Sequence, residues 1–547
     1  MALSPQIPLT PANAGAQAAA QPGSRRSSGR AGFSSLKLAA FIAAAVAVIP
    51  LLAVVWLALT RPASAAIPPE LIARYAATTA VLAALVAVGA TTLGAISAWL
   101  VVMHRFPGRD IFAWALALPL AAPAFALAYA YADLTDIAGP IHAFLRSIGA
   151  DIPLNVRSLP GAAFVLSCAF YPYVYLTARA AFVSQSVCAL EAARTLGASP
   201  LDAFRRVALP LARPALAAGA ALAVMETLAD YGAVNFLGVQ TLTTGVVRAW
   251  ATYGAPGSAA RLSLVLLVAA ALLLWVERLN RKGESYGASS ARWRTLTEVP
   301  LTGPGRWLAT AFCLLLLTLG LLLPAGWLAY RALTYTPEFD RILRAGAVSL
   351  GLGVAGAVVT VTLAAAIAFG ARGQRLLQRV VSLGYATPGA VMAVGLLAPA
   401  AVLWGAGLGT GVAMGLALLI LAYAARLMAA AVEPIDAGLS RVTPSMDRAA
   451  RTLGEDEAGA VRRVHIPLAR GALWTAALLV FVDVMKELPA TLILRPFNFD
   501  TLAVLADRYA ADERLAEAAW PALLIVLAAA PAVVFLSRRV ARSRPGA

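Results

Sequence analysis

Two pairs of acidic side chains lie in long apolar stretches of this 547-residue chain, at equivalent positions 257 residues apart. Glu226 aligns with Asp483, and Asp230 aligns with Glu487. The acids of each pair are four residues apart, a spacing that places both on one face of a helix. A charge within a membrane span is costly unless it faces water, a partner or a ligand. Because carboxylate oxygens suit hard cations, four acids meeting near mid-span would line a path for a cationic solute.

A structural interpretation of these acids stays open beside the functional one. Lys486 follows Asp483 by three residues and could neutralise a carboxylate, so the acids would only hold helices together. Four further side chains could add oxygen ligands near the outer mouth of a path: Tyr131, Asp133, Tyr171 and Tyr173. The cysteines and histidines lack metal-ligand spacing, so no metal site is predicted from them: Cys168, Cys188, Cys313, His104, His142 and His465.

The 257-residue offset is set by a repeated polar segment that precedes each acidic pair. Residues 191–216 read EAARTLGASPLDAFRRVALPLARPAL, and residues 448–473 read RAARTLGEDEAGAVRRVHIPLARGAL, with 16 of 26 positions identical. Gly197 and Gly454 follow runs of helix formers, which predicts a helix, a turn at the glycine with positive φ, and a second amphipathic helix. That second helix is expected to stop near Pro210 or Pro467, where the next span begins.

Such a polar repeat in an apolar chain indicates a duplicated contact surface. Each copy carries two adjacent arginines that offer charge-assisted contacts to an acidic partner or to lipid headgroups: Arg205, Arg206, Arg462 and Arg463. The alternative is an amphipathic loop that simply lies on the membrane.

Composition places the chain in a membrane. Hydrophobic residues make up 61% and charged residues 13%, and the mean hydropathy is +0.78, so too little polar surface exists to coat a soluble globule of this size. The net charge of +17 comes from Lys and Arg beside apolar segments. That placement is typical of loops on the inner side of a lipid bilayer and not of a nucleic-acid-binding surface.

The apolar runs predict an all-α polytopic membrane protein of twelve transmembrane helices in two six-helix repeats. If both termini lie on the cytoplasmic side, all loops rich in Lys and Arg lie on that side as well, as is typical of membrane proteins. The predicted spans are 38–60, 75–103, 109–132, 160–183, 212–236 and 261–277 in the first half, and 306–330, 343–371, 379–404, 408–431, 468–494 and 518–537 in the second.

The same pattern divides the chain into segments. Residues 1–36 are rich in Ala, Pro, Gly and Ser and are expected to be a disordered cytoplasmic tail. The remaining predicted segments are a first repeat at 37–279 with its polar loop at 184–211, a cytoplasmic linker at 280–305, a second repeat at 306–540 with its polar loop at 432–467, and a tail at 541–547.

The polar loop resembles the signature loop of ABC-importer permeases, through Glu191-Ala192-Ala193, Gly197 and Leu209-Pro210. The second copy has Arg448 in place of the glutamate. It keeps the remaining positions of the pattern: Ala449, Ala450, Gly454, Ile466 and Pro467. Residues 480–504, reading VFVDVMKELPATLILRPFNFDTLAV, are similar to the corresponding segment of fused ferric-iron permeases, in which two permease halves are joined.

This resemblance implies a type I ABC importer permease in which each loop docks into a cytoplasmic ATPase subunit. The residues expected to couple to the ATPase are Glu191, Ala192, Ala193, Gly197, Arg205, Arg206, Pro210, Ala449, Ala450, Gly454, Arg462, Arg463 and Pro467, and those of the substrate path are Glu226, Asp230, Asp483 and Glu487. The implied partners are two copies of the ATPase and a periplasmic binding protein, in a bacterial inner membrane.

The chain itself is expected to bind no cofactor and to be no enzyme. None of its three lysines, Lys37, Lys282 and Lys486, ends a phosphate-binding loop, so ATP and Mg are used by the partner. The resemblance favours ferric iron as substrate, with thiamine, polyamines and phosphonates as alternatives. A secondary transporter driven by an ion gradient is the rival from another class, and no catalytic constellation supports an intramembrane enzyme.

Overall fold

A computed structural model describes residues 35–542, except 185–194, 282–298, 406–410, position 441 and scattered positions within 63–66, 151–153, 196–198 and 372–386. The helices of the first half are α1 (Ser35–Thr60), α2 (Pro69–Met103), α3 (Arg109–Ala115), α4 (Ala124–Leu134), α5 (Pro140–Ser147), α6 (Leu159–Ser184), α7 (Pro200–Ala203), α8 (Leu209–Ala229), α9 (Gly232–Phe236), α10 (Leu242–Ala251) and α11 (Pro256–Arg281).

The described part of the second half starts at Val299, in the short strand that precedes its first helix. Its helices are α12 (Pro304–Leu317), α13 (Leu323–Leu333), α14 (Phe339–Gly370), α15 (Gly389–Gly405), α16 (Val412–Leu439), α17 (Pro444–Thr452), α18 (Glu457–Ala460), α19 (Ile466–Met485), α20 (Pro489–Leu494), α21 (Leu502–Ala511) and α22 (Leu515–Arg542). Two short strands, β1 (His104–Arg105) and β2 (Val299–Pro300), pair in parallel and tie the end of α2 to the end of the linker.

The helical membrane fold is confirmed, but the count of twelve spans is not. Among the described residues, ten helices are long and apolar enough to cross a membrane, or eleven if α3 and α4 form one bent span. The predicted span 109–132 turns by 90° between Ala121 and Ala124, where Pro123 precedes α4. In the predicted span 379–404, helix α15 starts directly after Pro388. Proline disfavours the helical conformation in the residue before it, which is consistent with a break at each of these two positions.

Each half is built on three packed helices, α2, α6 and α8 in the first and α14, α16 and α19 in the second. Small residues bring these helices together: a Cβ on Gly94 of α2 would lie 2.7 Å from the Val174 Cβ of α6. Without a side chain at this point the two backbones can approach closely, as is common between membrane helices.

The halves also exchange their first helices. Helix α1 packs against α14 and α15 of the second half as well as its own α11, while α13 packs against α4 of the first half as well as its own α22. Each half therefore completes the packing of the other.

Matched hydrogen bonds show that the halves are equivalent in detail. The buried Thr79 hydroxyl of α2 accepts from the Leu242 N–H at 2.9 Å, and the buried Ser349 hydroxyl of α14 accepts from the Leu502 N–H at 2.7 Å. Leu242 and Leu502 each start a helix, α10 and α21, whose first N–H groups lack partners within the helix. In both halves, a buried hydroxyl on the preceding long helix accepts a hydrogen bond from the first N–H of the short helix.

Prolines sit next to three π-helical turns, at Phe204–Ala208, Thr318–Leu322 and Val461–His465. The second residue after each turn is a proline: Pro210, Pro324 and Pro467. A π turn bonds each N–H to the carbonyl five residues back, which relieves the clash between a proline ring and the preceding turn. The expectation that the loop helix stops at Pro210 and Pro467 is therefore wrong, because single helical spans run over Phe204–Ala229 and Ala458–Met485.

Candidate functional site

The two predicted acidic pairs lie at the ends of equivalent helices and not at mid-span. Helix α8 ends at Ala229 and α19 ends at Met485, so Asp230 and Glu487 fall just beyond them. Asp230 has an extended backbone, with ψ of 132°. The prediction that each pair shares one continuous helix face is therefore wrong. The predicted spans 212–236 and 468–494 both break at this point, because Gly232 and Pro489 follow and start new short helices.

The outer acid of each pair binds the short helix that follows it. An Asp230 carboxylate oxygen accepts from the Val234 N–H of α9 at 3.1 Å, and a Glu487 carboxylate oxygen accepts from the Ala490 N–H of α20 at 3.0 Å. A carboxylate at a helix N-terminus satisfies backbone donors that have no partner within the helix. These two acids thus fix the direction in which the chain turns after α8 and α19.

Basic side chains from the second half lie against the acids. The Lys486 ammonium is 2.9 Å from the Asp483 carboxylate, which confirms the ion pair anticipated from their spacing. Arg426, on α16, forms an ion pair with Glu487 and lies 3.9 Å from the Glu226 carboxylate. One guanidinium therefore faces carboxylates from both halves of the chain.

A cavity of about 650 Å³, including the part open to solvent, brings these groups together. Four acids and two bases line it, a formal balance of two negative charges: Glu226, Asp230, Asp483, Glu487, Arg426 and Lys486. The remaining wall comes largely from the first half, including Phe125 of α4 and Phe170 and Tyr173 of α6. The four acids that the sequence aligns between the two halves thus line one cavity, and their role in a substrate path stays a prediction.

Burial makes the Arg426 pair energetically important. The Glu487 side chain is 5% exposed and the Arg426 side chain 14%. Removing one member of a buried ion pair costs ~3–5 kcal/mol, because the remaining charge loses its compensation. Gly389 lies directly against this carboxylate, and a Cβ there would overlap the Glu487 oxygen.

Sequence reasoning did not single out Arg426. The signal was present, because a single arginine inside the apolar run 412–431 is as unusual as the acids. Of the four additional oxygen ligands proposed, Tyr173 lines the cavity. Asp133 is bound elsewhere, by Arg331 at 2.9 Å and by the Trp327 indole N–H at 2.8 Å. Tyr131 donates to the Leu319 carbonyl, and Tyr171 is fully buried among core residues.

Metal-ligating side chains do not cluster in the described part of the chain: no three His, Cys, Asp or Glu side chains there are placed to hold a metal ion. Cys168 and Cys313 are buried, as expected for cysteines that pack as apolar residues, and Cys188 lies outside the described residues.

The repeated loops have the glycine turns that the sequence predicts. Gly197 has φ of +83° and Gly454 has φ of +86°, a conformation that costs other residues free energy. An added Cβ would meet no atom within 4 Å at either position, so glycine is required there by backbone conformation and not by space. Glu191, Ala192 and Ala193 lie outside the described residues.

The loop arginines are exposed in both copies: Arg205, Arg206, Arg462 and Arg463. Arg206 lies 3.4 Å from Asp202, and Arg463 lies 2.6 Å from Glu455. Exposed pairs of this kind contribute little to stability, so these side chains can exchange partners. In the second copy Ala449 is exposed and Ala450 is buried, both on α17.

One contact of the second copy uses a side chain that the first copy lacks. The buried His465 ring contacts Asp447 of α17 at 2.7 Å, whereas Ala208 occupies the equivalent position in the first copy. The second loop is therefore held to its preceding helix by a bond that Ala208 cannot form.

Comparisons with known proteins agree with the duplicated architecture. The family described as "binding-protein-dependent transport system inner membrane component" matches this chain twice, at residues 90–284 and 356–545. The Fe(3+)-transport system permease protein FbpB 2 of Haemophilus influenzae is 26% identical over 480 residues, covering 86% of this chain and 90% of that protein.

Permeases named for anions match over shorter regions. The sulfate transport system permease protein CysT of Salmonella typhimurium is 35% identical over 170 residues, which cover 31% of this chain and 60% of that protein. The putative 2-aminoethylphosphonate transport system permease protein PhnU of the same species is 30% identical over 159 residues, covering 28% of this chain and 56% of that protein.

The two family matches together span more than half of the chain, and each contains one copy of the polar loop and one acidic pair. The chain therefore belongs to the family of binding-protein-dependent transport system inner membrane components, the multi-pass membrane permeases of ABC importers.

Proposed function

We propose that this permease passes ferric iron from a periplasmic binding protein to the cytoplasm, driven by ATP hydrolysis in separate ATPase subunits. The observation that carries the proposal is the cavity where the two halves meet, lined by Glu226, Asp230, Asp483 and Glu487. Its position at the ends of two equivalent helices is the place expected for a path between the halves.

The charge of the cavity favours a cation over an anion. Two bases leave the four acids with a formal excess of two negative charges, and carboxylate oxygens are suited to hard, highly charged cations. A sulfate or phosphonate ion would meet like charges in a partly buried site. The ferric-iron relative is also similar over both repeats, whereas the sulfate and phosphonate relatives match about one third of the chain.

We infer that the repeated loops are the docking sites for two copies of the ATPase, which binds ATP and Mg. The glycine turns and exposed arginines support this role. One span runs from Phe204 to Ala229, so Arg206 and Glu226 lie on one helix, roughly 30 Å apart at 1.5 Å per residue. A displacement of the loop would reach the cavity through this helix, and the span Ala458–Met485 offers the same connection in the second half.

The proposed orientation places both termini and both polar loops in the cytoplasm, with the opposite loops receiving the binding protein. The basic side chains beside the apolar segments support it, because such residues concentrate on the inner side of a membrane.

The test is reconstitution of the complete complex in lipid vesicles with binding proteins loaded with ferric iron, thiamine, sulfate or phosphonate. The ferric protein is expected to stimulate ATP hydrolysis and uptake. Stimulation by a sulfate- or thiamine-loaded protein, and not by the ferric one, would overturn the substrate assignment. Uptake that follows an ion gradient without the ATPase would overturn the importer mechanism.

A further inference from the structure

Arg426 is a cationic side chain fixed between acids of the two halves. It extends from α16 of the second half, forms an ion pair with Glu487 and lies 3.9 Å from Glu226 of the first half. All three side chains line the cavity. Because the contacts belong to different halves, Arg426 cannot keep both when the halves move apart.

The charges indicate what Arg426 does to the cavity. Lys486 is paired with Asp483 at 2.9 Å, and Arg426 lies against Glu226 and Glu487. Two positive charges therefore face four carboxylates in the cavity, and Arg426 is the one that contacts acids of both halves among the described residues. If the guanidinium withdrew, the cavity would have a formal charge of minus three.

A guanidinium fits the place between Glu226 and Glu487. No three of the described acidic, histidine or cysteine side chains are placed to hold a metal ion together. A planar guanidinium has five donors and reaches two carboxylates at once.

We propose that Arg426 sets the charge specificity of the path, as a tethered cation that a passing substrate must replace between Glu226 and Glu487. This inference rests on the proposed function, since it requires that solute passes through the cavity. A monovalent cation gains nothing over a guanidinium already in place. A multivalent cation interacts more strongly with the same carboxylates, in proportion to its charge, and displaces Arg426.

The experiment measures binding of Tb³⁺, a hard trivalent probe, to the purified full-length chain by luminescence sensitised through the tyrosines of the cavity. Arg426→Gln is expected to bind Tb³⁺ at least tenfold more tightly than the wild type, because the competing cation is gone. Arg426→Lys keeps the charge and is expected to bind Tb³⁺ as the wild type does.

The matched control is Arg514→Gln, which removes one positive charge outside the cavity, where the 45% exposed Arg514 side chain pairs with Glu517. It is expected to leave Tb³⁺ affinity unchanged. Adding Glu226→Gln and Glu487→Gln to Arg426→Gln is expected to abolish the gain. Because loss of Arg426 destabilises a buried carboxylate, thermal unfolding of every variant establishes that the folded chain is compared.

Equal Tb³⁺ affinity in folded wild type and Arg426→Gln would overturn the proposal, as would an equal gain in Arg514→Gln. The proposed function fails by a separate result, namely no stimulation of ATP hydrolysis by the ferric binding protein. A tighter Tb³⁺ site in Arg426→Gln together with that result would support the role of Arg426 and reject ferric iron as the substrate.

Discussion

Replacing Gly197 or Gly454 with valine tests whether the repeated turns couple this permease to its ATPase. Both glycines have φ above +80°, and an added Cβ would meet no atom within 4 Å. A Cβ at either position therefore introduces no steric overlap, and the substitution is expected to act chiefly through the backbone. A left-handed conformation costs an L-residue roughly 1–2 kcal/mol, which lowers the population of the native turn by a factor of about 5–30.

The assay measures the affinity of the ATPase subunit for the permease in lipid vesicles, together with the number of substrate ions taken up per ATP hydrolysed. Each valine variant is expected to weaken ATPase binding by the same factor of about 5–30, and the double variant is expected to weaken both sites. Gly197→Asn and Gly454→Asn are expected to have smaller effects, because asparagine enters the left-handed region more readily.

Gly149→Val is the matched control. Gly149 has φ of +73° and open space around its Cβ position, and it lies in the loop after α5, on the opposite side of the membrane in the proposed orientation. The Gly149→Val variant has the same backbone strain, and the permease that carries it is expected to bind the ATPase normally. Normal coupling in the Gly197 and Gly454 variants, or an equal loss in the Gly149 variant, would refute the docking role.

Three more experiments, with five substitutions in all, test the cavity and the fold. Glu226→Gln with Asp483→Asn is expected to lower uptake about tenfold or more, equivalent to ~1.4 kcal/mol, without weakening ATPase binding; unchanged uptake would favour a purely structural role for these acids. Thr79→Val and Ser349→Ala are each expected to lower the free energy of unfolding by about 1–3 kcal/mol, because each leaves a buried N–H without its acceptor; unequal losses in chemical denaturation would contradict the equivalence of the halves. Gly389→Ala is expected to lower it by about 1–3 kcal/mol through overpacking against Glu487, and an unchanged thermal midpoint would contradict that contact.

The repeat in the sequence was sufficient to predict that the four acids lie close together. The constant offset aligned Glu226 with Asp483 and Asp230 with Glu487, and both pairs line one cavity. This prediction was possible because two homologous halves place equivalent residues at equivalent positions on their helices. The positive φ at both loop glycines was predictable for a local reason, since a helix end followed by glycine favours that turn.

Other features depend on contacts that a repeat does not encode. Arg426 meets Glu226 through the packing of the two halves, so no local pattern connects them. The spans were placed from hydropathy, which averages over many residues and passes across the breaks at Asp230 and Glu487. The helices continue through Pro210 and Pro467 because a π turn precedes each proline, and composition gives no sign of that turn.

The exchange of first helices has a consequence for how the chain is made. Helix α1 is synthesised first, yet its partners α14 and α15 follow about 300 residues later. At ~5–20 residues per second, this delay lasts roughly 15–60 s. During that time one face of α1 must rest against lipid or an assembly factor. A chain that ends at the linker never covers that face, so quality control in the membrane can distinguish an unfinished permease from a complete one.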